Sequence, residues 1–176
     1  MGWKNIQQAF AITRHIVTSS PVGVAIGTAS IPDLISIDGS TGEVIPHELW
    51  PLFAATHYPK IHEASSDELR ELVNNPDHFE RFIPVYTFED GKIVQRFCGE
   101  PGYPNVTHDG RLMHENLYST DYDAILRYAQ RIIYLEVKCA KSQIERLEGE
   151  LIQWNRKLDE VIGVESLLNE GQPQKG

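Results

Sequence analysis

The last third of the chain carries the feature that most restricts its fold, a long and uninterrupted helical pattern. No proline occurs between residues 121 and 162, and apolar residues recur there at alternating spacings of four and three. This heptad pattern is typical of a helix that packs along one side. Thr120 and Asp123 match a capping box and Gly163 is a suitable stop, so a helix is predicted over residues 121–163. The seam positions are Leu126, Gln130, Ile133, Val137, Ala140, Ile144, Leu147, Leu151, Trp154, Leu158 and Val161.

This helix is too long for the rest of the chain to cover, because about 42 residues extend about 63 Å. We therefore predict oligomerisation along the seam from Val137 to Val161, most simply as a homodimer. Glu136 and Lys141 could pair across a parallel dimer, but one exposed ion pair does not fix the orientation. The alternative is a helix that breaks near Gly149 and folds back on itself. Residues 164–176 are predicted to form a disordered tail.

Residues 1–120 are predicted to form a compact α+β domain with a small antiparallel sheet and short helices. The clearest signal is Asp90-Gly91 between two β-rich runs, which indicates a hairpin over residues 84–99. Ser65 and Glu68 match a second capping box, at the start of a helix. Two further strands are predicted at 22–27 and 111–119, and a second hairpin at 34–45. Helices are predicted at 3–16 and 67–75. Helical turns are predicted at 47–58, with Pro46 at the first helical position, and at 76–82. The segment 11–17 could also be a strand.

The net charge of −9 is concentrated in the middle of the chain. Residues 61–123 carry 5 basic and 13 acidic side chains, which gives this segment −8 of the total. A protein that follows a phosphate backbone needs the opposite sign, so direct nucleic-acid binding is disfavoured. An acidic surface suits a basic protein partner better.

Cysteine usage and hydropathy point to the cytoplasm. The two cysteines, Cys98 and Cys139, form no CxxC pair, and an oxidised scaffold of this size would carry more of them. No apolar run approaches the roughly 18 to 20 residues of a membrane span, and the first residues lack a basic leader followed by an apolar stretch. We expect a cytoplasmic protein without a membrane segment.

The segment 102–120 is the best candidate for a functional surface. It follows a Gly-Pro loop, and loops carry recognition more often than the elements that they connect. The candidate binding residues are Tyr103, Asn105, His108, Asp109, Arg111, His114 and Glu115. The same residue types also build a loop, a turn and an edge strand without any chemistry, and this structural interpretation is favoured.

Catalytic signatures are missing from the sequence. His57 and His62 are five residues apart and His108 and His114 are six apart, so neither pair has the spacing of a zinc-binding helix. No GxSxG, GxGxxG or Walker pattern occurs. No catalytic residue, metal or cofactor is therefore assigned.

The leading hypothesis is a non-enzymatic, acidic, cytoplasmic regulatory protein that self-associates through its C-terminal helix and binds or inhibits another macromolecule. Small accessory proteins of viruses and mobile elements often have this profile, which is an analogy only. One alternative is a small-molecule binding module, with a pocket between subunits built from Tyr103, His108, Arg111 and His114. The second alternative is a metal-assisted hydrolase that uses the segment from His108 to Glu115.

Overall fold

The computed structural model describes residues 2–170, with side chains from residue 2 to residue 166. The chain has the predicted α+β fold, with short helices, antiparallel sheets and one long C-terminal helix. The elements in chain order are α1 (Trp3–Ala9), β1 (Ile16–Ser20), β2 (Gly23–Gly27), β3 (Ile35–Asp38), β4 (Val44–Pro46), α2 (Phe53–His57), α3 (Pro59–Glu63), α4 (Ser66–Asn74), β5 (Ile83–Glu89), β6 (Lys92–Cys98), β7 (Tyr118–Ser119) and α5 (Tyr122–Glu170).

The first sheet is an antiparallel meander of β1, β2, β3 and β4 in that order. Its inner strand β2 is buried along its whole length, and its sequence, GVAIG, has no polar side chain. The predicted hairpin over 34–45 is confirmed, since β3 pairs with β4. Val24, Ile26, Ile35 and Ile37 form the centre of the main core, against which α1 and α4 pack.

The helix predicted over residues 3–16 ends at Ala9, so its second half was predicted wrongly. Ala11 has a left-handed φ of 50°, which breaks the helix. Residues 16–20 form β1 instead, in which Val17 is fully buried and pairs with Ile26 of β2. The apolar spacing fits either structure, and the neighbouring strand decides between them because it satisfies the extended backbone.

The chain between β4 and β5 contains three short helices, α2, α3 and α4. Pro46 ends β4 and does not open a helical turn, so the prediction of a turn beginning at residue 46 is wrong. The helices start later, at Phe53 and at Pro59, which occupies the first turn of α3. The capping box is confirmed at α4, where the hydroxyl of Ser65 accepts a hydrogen bond from the backbone N–H of Glu68.

The second sheet has the order β6-β5-β7. Its β5–β6 hairpin is confirmed, and Asp90 and Gly91 have the positive φ angles of 49° and 76° that the turn requires. The strand predicted over residues 111–119 is reduced to the two residues of β7, which pair with β5. Residues 106–112 form a tight turn instead, held by isolated bridges of the Val106–Leu112 and Cys98–Thr107 pairs.

Helix α5 is continuous through Gly149, so the predicted alternative of a helix that folds back there is wrong. Asp121, not Thr120, caps its start, because the carboxylate of Asp121 accepts a hydrogen bond of 2.9 Å from the N–H of Asp123. The helix also continues past Gly163 and is described as far as Glu170, so residues 164–170 are helical and do not form the predicted tail. A glycine on the outer side of a helix costs only about 1 kcal/mol. Residues 171–176 of that tail lie outside the described residues.

The chain divides into two units, Met1–Ala129 and Gln130–Gly176. Ile125 and Ala129, in the first turns of α5, are buried and belong to the first unit.

Candidate functional site

A network of four charged side chains lies on the second sheet and the turn beside it. Arg96 is its centre: its guanidinium donates a hydrogen bond of 2.6 Å to Glu89 and a second one to the carboxylate of Asp109. Arg111 lies farther out, with its Nη1 3.3 Å from Glu89 and its Nε 3.7 Å from Asp109. The Arg96 side chain is 14% exposed and that of Arg111 58%. Two cations and two carboxylates neutralise each other here, so the network joins the turn to the hairpin.

The turn that contains Asp109 is stabilised by hydrogen bonds within it and by one to β1. Within the turn, the Thr107 hydroxyl donates a hydrogen bond of 2.6 Å to Asp109 and accepts one of 3.0 Å from the N–H of Arg111. On the other side, the carbonyl of Gly110 accepts a hydrogen bond of 2.9 Å from the N–H of Ser19 in β1. The turn therefore connects the two sheets of the first unit.

His108 is a packing residue between aromatic rings. Its ring stacks on Phe79 at 3.8 Å and 11°, and Phe82 lies perpendicular to it at 4.9 Å. Phe79 and Phe82 lie in a segment without regular structure, so the helical turn predicted at 76–82 is wrong. Burial lowers the pKa of His108, and the positive charge of Lys4 lowers it further. This environment favours the neutral imidazole, and its Nε2 is buried without a hydrogen-bond partner among the described residues.

The seven candidate binding residues are thus separated into two groups. His108, Asp109 and Arg111 make internal contacts, and the backbone of Asn105 bonds to Gly102 and Met113. Asp109 and Arg111 are exposed although they pair with other side chains, and Tyr103, His114 and Glu115 are exposed as well.

Two clefts of the first unit include some of these residues. A cleft of about 510 Å³ is lined by Asn105 and His108 together with Lys4, Arg14, Trp3 and Phe79. Another of about 480 Å³ is lined by Arg111 and His114 together with Thr18, Phe88, Leu117 and Tyr118. Within one chain, His108 therefore lines one cleft and Arg111 and His114 line the other, while Tyr103 lines neither.

The arrangement offers little for nucleophilic or metal chemistry. Among the hydrogen bonds of residues 2–166, none joins a serine, threonine or cysteine side chain to a histidine. Cys98 is fully buried, and burial raises the pKa of its thiol. In the same part of the chain, no group of three or more His, Cys, Asp or Glu side chains is placed to hold a metal ion.

The seam on α5 is an exposed apolar feature of the second unit. Its large side chains are between 48% and 66% exposed, and Ala140 is exposed as well. The residues with these values are Val137, Ile144, Leu147, Leu151, Trp154, Leu158 and Val161. All of them lie on one continuous helix at the predicted spacing. The amine of Lys157 lies 5.2 Å from the ring centre of Trp154, the most exposed of them.

Sequence reasoning missed Glu89 and Arg96 of the charged network. A signal for Arg96 was present, since alternation along the hairpin places it on the same face as Val85, its buried partner in β5. A charged residue on a buried strand face requires a partner of opposite charge. The identity of that partner could not be read, because Asp109 comes from a turn 13 residues away.

Comparison of the chain with protein-family models, with curated proteins and with solved structures finds no match. Within residues 2–170, no helix is both long enough and apolar enough to cross a bilayer.

Proposed function

We propose that this chain is a non-enzymatic, cytoplasmic interaction protein that self-associates through α5 and regulates another macromolecule, a protein, by binding it. The observation that carries the proposal is the exposed seam on a continuous helix. Monomeric proteins rarely leave large contiguous apolar surfaces in water. A seam at heptad spacing buries its side chains when a second helix packs along it.

The large apolar side chains of the seam favour pairing energetically. Burying a Leu, Ile or Val side chain stabilises by about 1.5–3 kcal/mol relative to full exposure. The seam side chains are about half exposed, so each could contribute roughly half of that on pairing. The seven side chains from each of the two copies together contribute about 10–20 kcal/mol, which is comparable to or larger than the entropy cost of association, about 4–15 kcal/mol.

The acidic middle segment, residues 61–123, favours a basic protein as the partner that this molecule binds. Glu89 and Asp109 of this segment are neutralised by arginines. By contrast, Glu63, Glu68 and Glu71 on α3 and α4 are exposed. Such charges steer a basic partner towards the surface and make its binding weaker at high salt.

The self-association is tested by placing charge in the seam. Leu147→Asp together with Leu151→Asp should convert the oligomer to a monomer and leave the first unit folded, because unpaired charges would be buried only in the seam. The measurement is sedimentation equilibrium at several protein concentrations, with near-UV circular dichroism to follow the first unit.

The matched control is Ser142→Asp together with Gln153→Asp. It adds the same charge to the same helix but outside the seam, and should leave the assembly unchanged. If the seam variant keeps the wild-type assembly, or if the wild-type protein is a monomer throughout the concentration range, the proposed self-association is wrong.

A further inference from the structure

The residues beside the seam carry information about how two copies of α5 would pair, and this inference rests on the proposed self-association. Two positions flank the seam in each heptad, and charges there set the orientation of the partner. The first flank consists of Tyr134, Lys141, Glu148, Asn155 and Ile162. The second flank consists of Glu136, Gln143, Glu150, Lys157 and Val164. In a parallel pair, the first flank of one copy faces the second flank of the other copy. In an antiparallel pair, the first flank faces the first flank of the other copy, and the second flank faces the second.

We propose that α5 forms a two-fold antiparallel dimer in which Ala140 of one copy lies opposite Leu151 of the second copy. In this register Val137 lies opposite Trp154, and Ile144 lies opposite Leu147. A two-fold axis makes every such contact occur twice.

Side-chain size favours this arrangement. The smallest residue of the seam then faces a leucine, and the largest faces a valine. In a parallel dimer in register, each residue would face its own copy instead. One layer would then contain two Ala140 side chains and leave a void, and another would contain two Trp154 rings and be overpacked.

Charge favours the same register. The first flank then places Lys141 opposite Glu148, and the second flank places Glu136 opposite Lys157. Neither flank brings two like charges together. The parallel dimer in register keeps only the Glu136–Lys141 pair, because the other charged flank residues meet uncharged ones.

Neighbouring antiparallel registers are disfavoured by the same charges. A shift by one heptad in one direction places Glu148 opposite Glu148 of the second copy, and Glu150 opposite Glu150 of the second copy. A shift in the other direction places Lys141 opposite its own copy and Glu136 opposite Glu150. Like charges opposite each other destabilise a helix pair, so the pattern selects one register.

Cysteine cross-linking in the full chain distinguishes these arrangements. The background is Cys139→Ser, which removes the exposed thiol, while Cys98 stays buried. The double variant Ala140→Cys with Leu151→Cys should form a covalent dimer on mild oxidation, read on a non-reducing gel. Each single variant should not, because each cysteine lies about 16 Å along the axis from its own copy, beyond the reach of a disulfide.

The outcomes separate this inference from the proposed function. A dimer cross-linked only in the double variant supports the antiparallel register. Efficient cross-linking of either single variant indicates a parallel dimer, and a sedimenting dimer that cross-links in no variant indicates another register. Both of these results overturn the inference and leave self-association standing. A wild-type monomer in sedimentation overturns both.

A charge exchange gives an independent readout. Glu136→Lys should weaken the dimer about 10-fold, because it turns two attractive pairs into repulsive ones. Adding Lys157→Glu should restore most of the affinity in the proposed register. In the parallel dimer Lys157 faces Ile162, so the second substitution would restore nothing and the inference would be wrong.

Discussion

Replacing Gly110 by alanine would test whether the turn at residues 107–111 is packed against β1. A Cβ atom at this position would overlap Oγ and Cβ of Ser19 and lie 2.7 Å from its backbone nitrogen. The φ of Gly110 is 84°, which a residue with a Cβ adopts at a cost of about 1–2 kcal/mol.

The expected loss of unfolding free energy follows from three contributions. The first is the backbone strain of about 1–2 kcal/mol. The second is the hydrogen bond from the Ser19 N–H to the Gly110 carbonyl, worth about 1 kcal/mol, which is lost when the turn moves away. The third is overpacking, typically about 1–3 kcal/mol. Together they predict a loss of about 3–6 kcal/mol.

Gly91 supplies the matched control. Its φ of 76° is similar, but a Cβ there would have no atom within 4 Å. Gly91→Ala should therefore cost only the backbone strain, about 1–2 kcal/mol. The two variants differ in packing and in the hydrogen bond to Ser19, and Gly110→Ala should be less stable by about 2–4 kcal/mol.

The assay is urea unfolding followed by tryptophan fluorescence in a Trp154→Phe background. The remaining tryptophans, Trp3 and Trp50, both belong to the first unit, so the signal reports on that unit. The unfolding midpoint of Gly110→Ala should lie about 1 M below that of Gly91→Ala. Equal midpoints would refute the packing of the turn against β1.

Three further predictions concern single side chains of the first unit. Because the pKa of His108 is lowered in the folded chain, the unfolded chain binds a proton at this imidazole more readily than the folded chain does. Stability should therefore fall as the pH drops below about 6.5, and His108→Phe should remove that part of the pH dependence in unfolding titrations. Arg96→Met should lower the unfolding free energy by about 2 kcal/mol and Arg111→Met by less than about 1 kcal/mol, because only Arg96 is largely buried. Equal losses of unfolding free energy in urea titrations would contradict the placement of Arg96 at the centre of the network. Ser65→Ala should lower the unfolding free energy by about 1 kcal/mol, and Ser65→Asp should retain most of the stability if the cap is the cause.

The elements that could be predicted well from the sequence depend on neighbouring residues. The β5–β6 hairpin requires only Asp90-Gly91 between two β-rich runs, and α4 requires only the contact between Ser65 and Glu68. Helix α5 follows from a pattern that repeats over its own length. In all three cases the interactions that select the structure lie within a few residues of one another.

The candidate site could be predicted only in part. The segment from Tyr103 to Glu115 was found, but the roles of its residues depend on distant parts of the chain. His108 is a packing residue because Phe79 and Phe82 lie against its ring. Periodicity along the chain carries no information about such partners.

The sequence by itself determined the α+β class, the β5–β6 hairpin and the heptad seam of α5, since these follow from spacing along the chain. The tertiary structure decided where α1 ends, because β1 pairs with β2 and takes up the residues that follow. It also decided that Asp109 and Arg111 belong to an internal network around Arg96. The physical reason is that a side chain's burial and charge partner are set by residues far away in the sequence, and only the folded chain brings them into contact.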